Sequence, residues 1–347
     1  MLLERVVKEA LESGASDIHI QEDDNCCIRI NGELIKLDDI AEAHDIREFC
    51  DKYNGVDETG EDYRTDFAFS MHDRRFRGNY YKAQKKMCLA LRALSSRIPT
   101  IQELHLPPEM EMLKQVGKGL VLIIGETGSG KSTTMASLVQ YFNESYPYNI
   151  LTIEDPVEYV YTPGKSRVSQ REVGDDVVSF AQGVKDAMRE DPDIIVLGEM
   201  RDMETISNAI TLAETGHMVF ATLHARNCIE VMDRITDVFP GDSKDSIRSQ
   251  AANVMQAVVH QTLIRSEKYG RLPLLELMRM DSAARSSMAE KKVQIEQLRA
   301  RLRSDRKSGN LHRVDSFRWL MEEFDLDPDL AEGVLSTDDY KLLVGGM

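Results

Sequence analysis

The chain lacks any long apolar run. Its longest, such as residues 120–124 and Ile194–Leu197, fall far short of the roughly 20 residues that cross a bilayer as a helix. It also lacks a C-x-x-C pair. The five cysteines, Cys26, Cys27, Cys50, Cys88 and Cys228, therefore argue against both a zinc knuckle and a disulfide framework, and a reducing cytosol fits. Glu4 and Glu9 interrupt the apolar amino-terminal stretch, which argues against a signal peptide. There is no internal repeat and no low-complexity tract. Basic charge is short as well: 43 Lys and Arg stand against 59 Asp and Glu, a net charge of −16, which disfavours a general nucleic-acid binder. One segment runs against that balance. Lys291, Lys292, Arg299, Arg301, Arg303, Arg306 and Lys307 crowd a stretch of helical pattern, which reads as a solvated or intersubunit helix face. The acidic run Glu322, Glu323, Asp325, Asp327 and Asp329 follows shortly after.

What is present is an ordinary soluble composition, 42% hydrophobic and 29% charged, over 347 residues. That length allows two domains and a substantial core. Residues 3–11 have helical spacing. Residues 17–20 and 27–37 read as strands, the second broken by the hairpin signal Asn31-Gly32. Residues 65–71 and 75–81 suggest a further hairpin, and 87–93 another strand. These patterns predict a small α+β domain over residues 1–97, with a proline-bearing linker over 98–112 (Pro99, Pro107, Pro108). Strands then alternate with helices over 113–280. The strands are 119–124, 150–154, Ile194–Leu197 and 218–222, and the helical patterns are 133–142, 179–188, 204–214 and 228–238. The alternation predicts an α/β domain with a mostly parallel sheet and helices on both faces. After Ser246 the pattern reads as largely helical, including a carboxy-terminal region over 281–347.

The most informative stretch is Gly125-Glu126-Thr127-Gly128-Ser129-Gly130-Lys131-Ser132, which fits G-x-x-x-x-G-K-[ST] between an apolar strand and a helix. Glycines there let backbone N–H groups wrap the β- and γ-phosphates, and the helix start adds its positive dipole end. Lys131 supplies a point charge, Ser132 a hydroxyl for Mg²⁺, and Thr133 continues the loop into the helix. The predicted ligands are ATP and Mg²⁺.

Three further strands end in chemistry. Residues 150–154 run into Glu154, Asp155 and Glu158. In an α/β sheet, ligands gather at the carboxyl ends of strands, which sets Glu154 and Asp155 at the height of a bound Mg²⁺. Ile194–Leu197 leads to Gly198-Glu199, where many phosphate-loop proteins carry Asp. A Glu there suits a general base or water-orienting group, against the plainer reading of an ion pair with Arg201 or Arg189. The strand over 218–222 lies between His217 and His224. His224, at the carboxyl end, is the candidate γ-phosphate contact.

Together these four elements, over 125–132, 153–158, 194–199 and 216–224, resemble the Walker A loop, Asp box, atypical Walker B and His box of the hexameric secretion ATPases of type IV pili and of type II and type IV secretion. Residues 14–20, 29–34, 75–79 and 92–100 are similar to that family's PAS-like amino-terminal domain and its exit. The resemblance covers roughly residues 1–280. It implies a PAS-like α+β domain followed by a RecA-like ATPase domain with a helical carboxy-terminal region. Within the family the pattern is closest to the pilus retraction ATPases (PilT-like), since neither an extra amino-terminal module nor a tetracysteine motif is present. The retraction-type signature Ala-Ile-Arg-Asn-Leu-Ile is not intact, and residues 281–288 stand in its place.

The resemblance implies a cytoplasmic homo-hexameric motor that hydrolyses ATP and meets an inner-membrane pilus or secretion platform protein. Nucleic acid is not an expected partner. Retraction of a type IV pilus is the leading reading. Type IV or type II secretion or pilus assembly, a nucleotide-gated protein that does not hydrolyse, and a DNA-translocating ring are the alternatives. In roles carried over from the family, Glu154 sits in the metal's water shell and Glu199 orients the attacking water. His224 senses the γ-phosphate, and Arg77 and Arg92 supply cations to the phosphates.

Overall fold

The computed structural model describes residues 1–56, 59–60, 62–94, 97–290, 295–304 and 306–345, without the side chain of Lys307. Lys291 and Lys292 of the basic segment, and Ser95 and Ser96 before the predicted linker, lie outside the described residues. Contacts divide the chain into two compact units, residues 1–98 with 156–160, and residues 99–155 with 161–347.

The first unit runs α1 (Leu2–Glu12), β1 (Asp17–Gln21), β2 (Asp24–Ile30), β3 (Glu33–Ala41), α2 (Ala43–Tyr53), β4 (Asp66–Met71), β5 (Arg74–Ala83) and β6 (Lys86–Ala93). Its six strands form one sheet in the order β3-β2-β1-β6-β5-β4, antiparallel throughout. Leu3, Val6, Val7 and Ala10 of α1 are buried at the 3-and-4 spacing of an amphipathic helix. Asn31 and Gly32 both take positive φ, as the tight β2–β3 turn requires. The core is aromatic: Phe69 stacks on Phe76 at 4.9 Å and meets Phe49 edge-on at 5.3 Å. Gly78 on β5 lies under the ring of Phe67, its partner on β4.

The second unit contains β7 (Gly119–Ile124), α3 (Lys131–Ser145), β8 (Asn149–Glu154), β9 (Arg167–Glu172), α4 (Phe180–Ala187), β10 (Ile194–Leu197), α5 (Met203–Glu214), β11 (Met218–Leu223), α6 (Val231–Thr236), α7 (Lys244–Val254), β12 (Met255–Ser266) and β13 (Gly270–Arg279). It ends with α8 (Ser282–Ala289), α9 (Ile295–Ser304), α10 (Arg313–Phe324) and α11 (Thr337–Val344). The sheet order is β13-β12-β7-β11-β10-β8-β9, and only β13 runs antiparallel to its neighbour. Every residue of β7, β10 and β11 is buried, as expected of parallel strands covered on both faces. Residues of α4 to α7 share one core with the sheet, and α3 and residues 101–113 share the other.

Two sequence expectations need correction. The largely helical reading after Ser246 holds for α7 and for α8 to α11, but residues 255–279 form the β12–β13 hairpin. Most of β12 is buried on both faces, so it lacks the alternation that marks a half-exposed strand, and its apolar run passes for a helix. The polar edge strand β9 also escapes the sequence pattern; it pairs with β8 in parallel. The basic segment becomes α9, anchored by buried Leu298 and Leu302.

Gly78→Ala tests the first core. An added Cβ would lie 2.3 Å from the Phe67 ring. The substitution is expected to destabilise the protein by about 1–3 kcal/mol, read as a lower thermal midpoint.

Candidate functional site

Parallel register brings four sequence motifs to one end of the sheet. Ile124 pairs with Leu223, and Leu197 pairs with Ile153. The residues that immediately follow are Gly125, His224, Gly198 and Glu154, all at the carboxyl end of the sheet.

The loop after β7 is shaped for phosphate. Gly125, Gly128 and Gly130 all have positive φ, at 148°, 80° and 86°. A Cβ at Gly125 would fall 2.4 Å from the Gln261 carbonyl oxygen, so only glycine fits. Gly130 precedes the 15-residue α3 and offers no side chain to cap it. The N–H groups of the first turn are thus left for an anion. Lys131 Nζ donates to the carbonyls of Gly125 and Glu126 at 2.9 and 2.8 Å, holding the ammonium against the loop. Ser132 is exposed, Thr133 partly so, and Ser129 is buried with an unpartnered hydroxyl among the described residues. These features fit a bound triphosphate.

His224 and Glu199 form a contact chain beside this loop. His224 Nδ1 lies 3.0 Å from the Gly125 carbonyl and its Nε2 lies 3.3 Å from Glu199 Oε1. Nδ1–H is therefore the donor that bond requires, which leaves Nε2 as an acceptor when the ring is neutral and a second donor when it is charged. Glu199 Oε2 pairs with Arg201 at 2.6 Å, so the plainer ion-pair reading is also realised. The Gly198 N–H donates to the Ile153 carbonyl at 2.8 Å, and the Thr222 hydroxyl to the Gly198 carbonyl, fixing the peptide before Glu199. Glu154 is oriented by the Thr152 hydroxyl at 2.6 Å and Gln170 Nε2 at 3.2 Å. His217 is not part of this group. Its Nδ1 lies 3.1 Å from the Leu212 carbonyl, at the opposite end of β11. Among the described residues no cluster of three His, Cys, Asp or Glu is placed to hold a metal.

Three site residues are invisible in the motifs. Gln261 on β12 accepts from the Thr134 hydroxyl and donates to the Ser129 carbonyl, both at 2.8 Å, clamping loop to helix. Glu276 on β13 is buried and accepts from the Cys228 N–H at 2.9 Å. It thereby ties down the turn that carries His224 and Arg226. His260, only 3% exposed, lines a cavity of about 390 Å³ beside Glu126, Thr127 and Ser129. Burial, then the charges of Arg313 and Lys131, push its pKa down to about 3, so it is neutral there at pH 7.

In the first unit, Arg77 and Arg92 are direct cross-strand partners on β5 and β6, and both are exposed. Like charges set opposite each other are unfavourable in a sheet. Arg92 Nε donates to Asp17 at 2.7 Å. Burial alone would raise the Asp17 pKa, but the Ser16 hydroxyl and Arg92 outweigh it and lower it.

The fold and the residues at its strand ends define a phosphate-loop nucleotide-binding protein. The model of the type II/IV secretion system protein family matches residues 1–323. The chain is 39% identical over 291 residues to the type IV pilus retraction ATPase PilT of Pseudomonas aeruginosa, covering 81% of this chain and 83% of that one. It is similar to the solved structure of the pilus retraction motor PilT with bound ADP, with a TM-score of 0.79 and 36% identity over 93% of this chain and 98% of that one. The Legionella pneumophila ATPase DotB gives the same TM-score of 0.79 at 26% identity, over 99% and 95%. The chain belongs to the type II/IV secretion system protein family, and it is an ATPase.

Glu276 separates positioning from packing. Glu276→Gln keeps an acceptor for the Cys228 N–H and should retain most of kcat. Glu276→Ala leaves that buried N–H unpaired, which costs about 1–3 kcal/mol, and should lower kcat more than it raises KM. Steady-state ATPase kinetics on both variants check this.

Proposed function

We propose that this ATPase is the retraction motor of a type IV pilus. The observation that carries the proposal is the contact chain from the loop carbonyl of Gly125 through His224 to Glu199, in a chain similar over most of its length to a retraction ATPase. In this reading residues 125–133 hold the triphosphate. Lys131 neutralises it, and Ser132 with Glu154 holds Mg²⁺, in part through water. Bound there, Mg²⁺ would supply charge neutralisation to the phosphate oxygens. Glu199 orients the attacking water once its pairing with Arg201 yields, and His224 registers loss of the γ-phosphate through the same contacts. Arg77 and Arg92 act as the further cations that hydrolysis requires, supplied by this chain or a neighbouring copy.

We further propose the PAS-like reading of the first unit, a homo-hexameric ring, and work on the cytoplasmic side of an inner-membrane platform protein. A ring suits a motor because each copy passes its motion to the next. Export is the second reading. The family description, a type II/IV secretion system protein, and the altered segment over 281–288 favour it.

Two experiments decide. Glu199→Gln should lower ATP turnover by at least about a thousandfold while leaving ATP affinity within a few fold, since positioning and charge stabilisation carry most of such catalysis. Persistent turnover would remove Glu199 from its role. In the organism, deletion should leave cells with excess pili that do not retract. Loss of pili, or of exported proteins, would assign the motor to assembly or export instead.

A further inference from the structure

We propose that the second unit carries a second ligand site, a cation-lined cavity that binds a small multivalent oxyanion. The cavity has a volume of about 670 Å³, within the range of small-molecule pockets. It lies at the amino ends of the central strands, where Gly117 and Lys118 lead into β7, Gln256 opens β12 and Arg279 closes β13. The phosphate loop follows the opposite end of β7. The six residues of that strand span about 20 Å, so a nucleotide on the loop does not fill this cavity.

Among the described residues three cations line it: Lys118, Arg279 and Arg285. Neutral groups hold the two arginines in place. Arg279 NH1 donates to the Ser308 carbonyl at 3.2 Å. Arg285 Nε donates to the Met255 carbonyl at 3.0 Å and its NH2 to Gln256 Oε1 at 2.9 Å. Lys118 is exposed. Among the described residues none of the three meets a carboxylate. The one acid among the described lining residues, Asp281, is already engaged: it caps α8 at the Ala284 N–H, 2.8 Å away, and pairs with Arg301.

The adjoining basic segment behaves differently. Arg299 pairs with Glu296, Arg303 with Asp339 and Arg306 with Glu109. These three arginines are thus locally neutralised, whereas Arg279 and Arg285 in the cavity meet neutral groups. Guanidinium groups fixed by neutral acceptors keep their other N–H groups for a ligand. Their planar fork matches the paired oxygens of phosphate or carboxylate. In a chain of net charge −16 an anion is repelled over most of the surface, which makes a local cationic cavity selective for where it settles. The size and the charge together point to a small molecule bearing at least two negative charges.

Calorimetric titration of inorganic pyrophosphate into the full chain, with ADP saturating the phosphate loop, tests this. One site per chain is expected. Lys118→Ala and Arg279→Ala should each weaken it by about tenfold or more, as the loss of a charge-assisted hydrogen bond does. Lys118→Ala removes an exposed side chain, so it serves where an arginine variant folds poorly. Lys131→Ala should leave the second site intact. The proposal is overturned if pyrophosphate gives no heat, if binding survives both substitutions, or if it disappears with Lys131. Binding of only an acidic peptide or anionic vesicles, with pyrophosphate inert, would also overturn it.

Discussion

The parallel register of β8, β10, β11 and β7 is the constraint on which the site depends. It fixes where each strand stops: Glu154 stands level with Gly198 and Gly125 level with His224, the second pair two residues further along because Leu197 pairs with Ala221. The strands are buried on both faces, so a slip of register would move large apolar side chains between the two cores. The strand-end residues therefore draw their geometry from the hydrophobic cores on either side.

On that frame the finer positioning is polar. His224 joins the phosphate loop to Glu199. Gln261 joins the loop to α3, and Glu276 holds the turn after His224. The contacts of Gln261 and Glu276 depend on β12 being a strand beside β7 and on β13 pairing with β12. The hairpin that the sequence pattern conceals is thus the element that braces the phosphate loop from the side. Its far end packs against α10 and α11 through Ile264, Leu272 and Leu274, which ties the carboxy-terminal helices to the same sheet.

Much of this was legible in the residues. The phosphate loop declares itself because its glycines and lysine act locally, within eight positions. Glu199 and His224 were legible because each ends an apolar strand. Gln261 and Glu276 were not, since Gln261 serves Ser129 across 132 positions and Glu276 serves Cys228 across 48. Neither residue carries a local pattern that names its partner. The strand β12 was misread for a related reason: burial on both faces erases the alternation by which strands are recognised. The basic segment showed its charge in sequence, but only the fold shows which acids neutralise Arg299, Arg301, Arg303 and Arg306.

The central claim is that His224 and Glu199 work as one unit beside the phosphate loop. A double-mutant cycle on kcat, with His224→Ala, Glu199→Gln and the pair, measures it most directly. If the two act together, the double variant will be no slower than the slower single variant. If the losses in activation free energy simply add, the two residues act independently and the contact chain does not work as a unit.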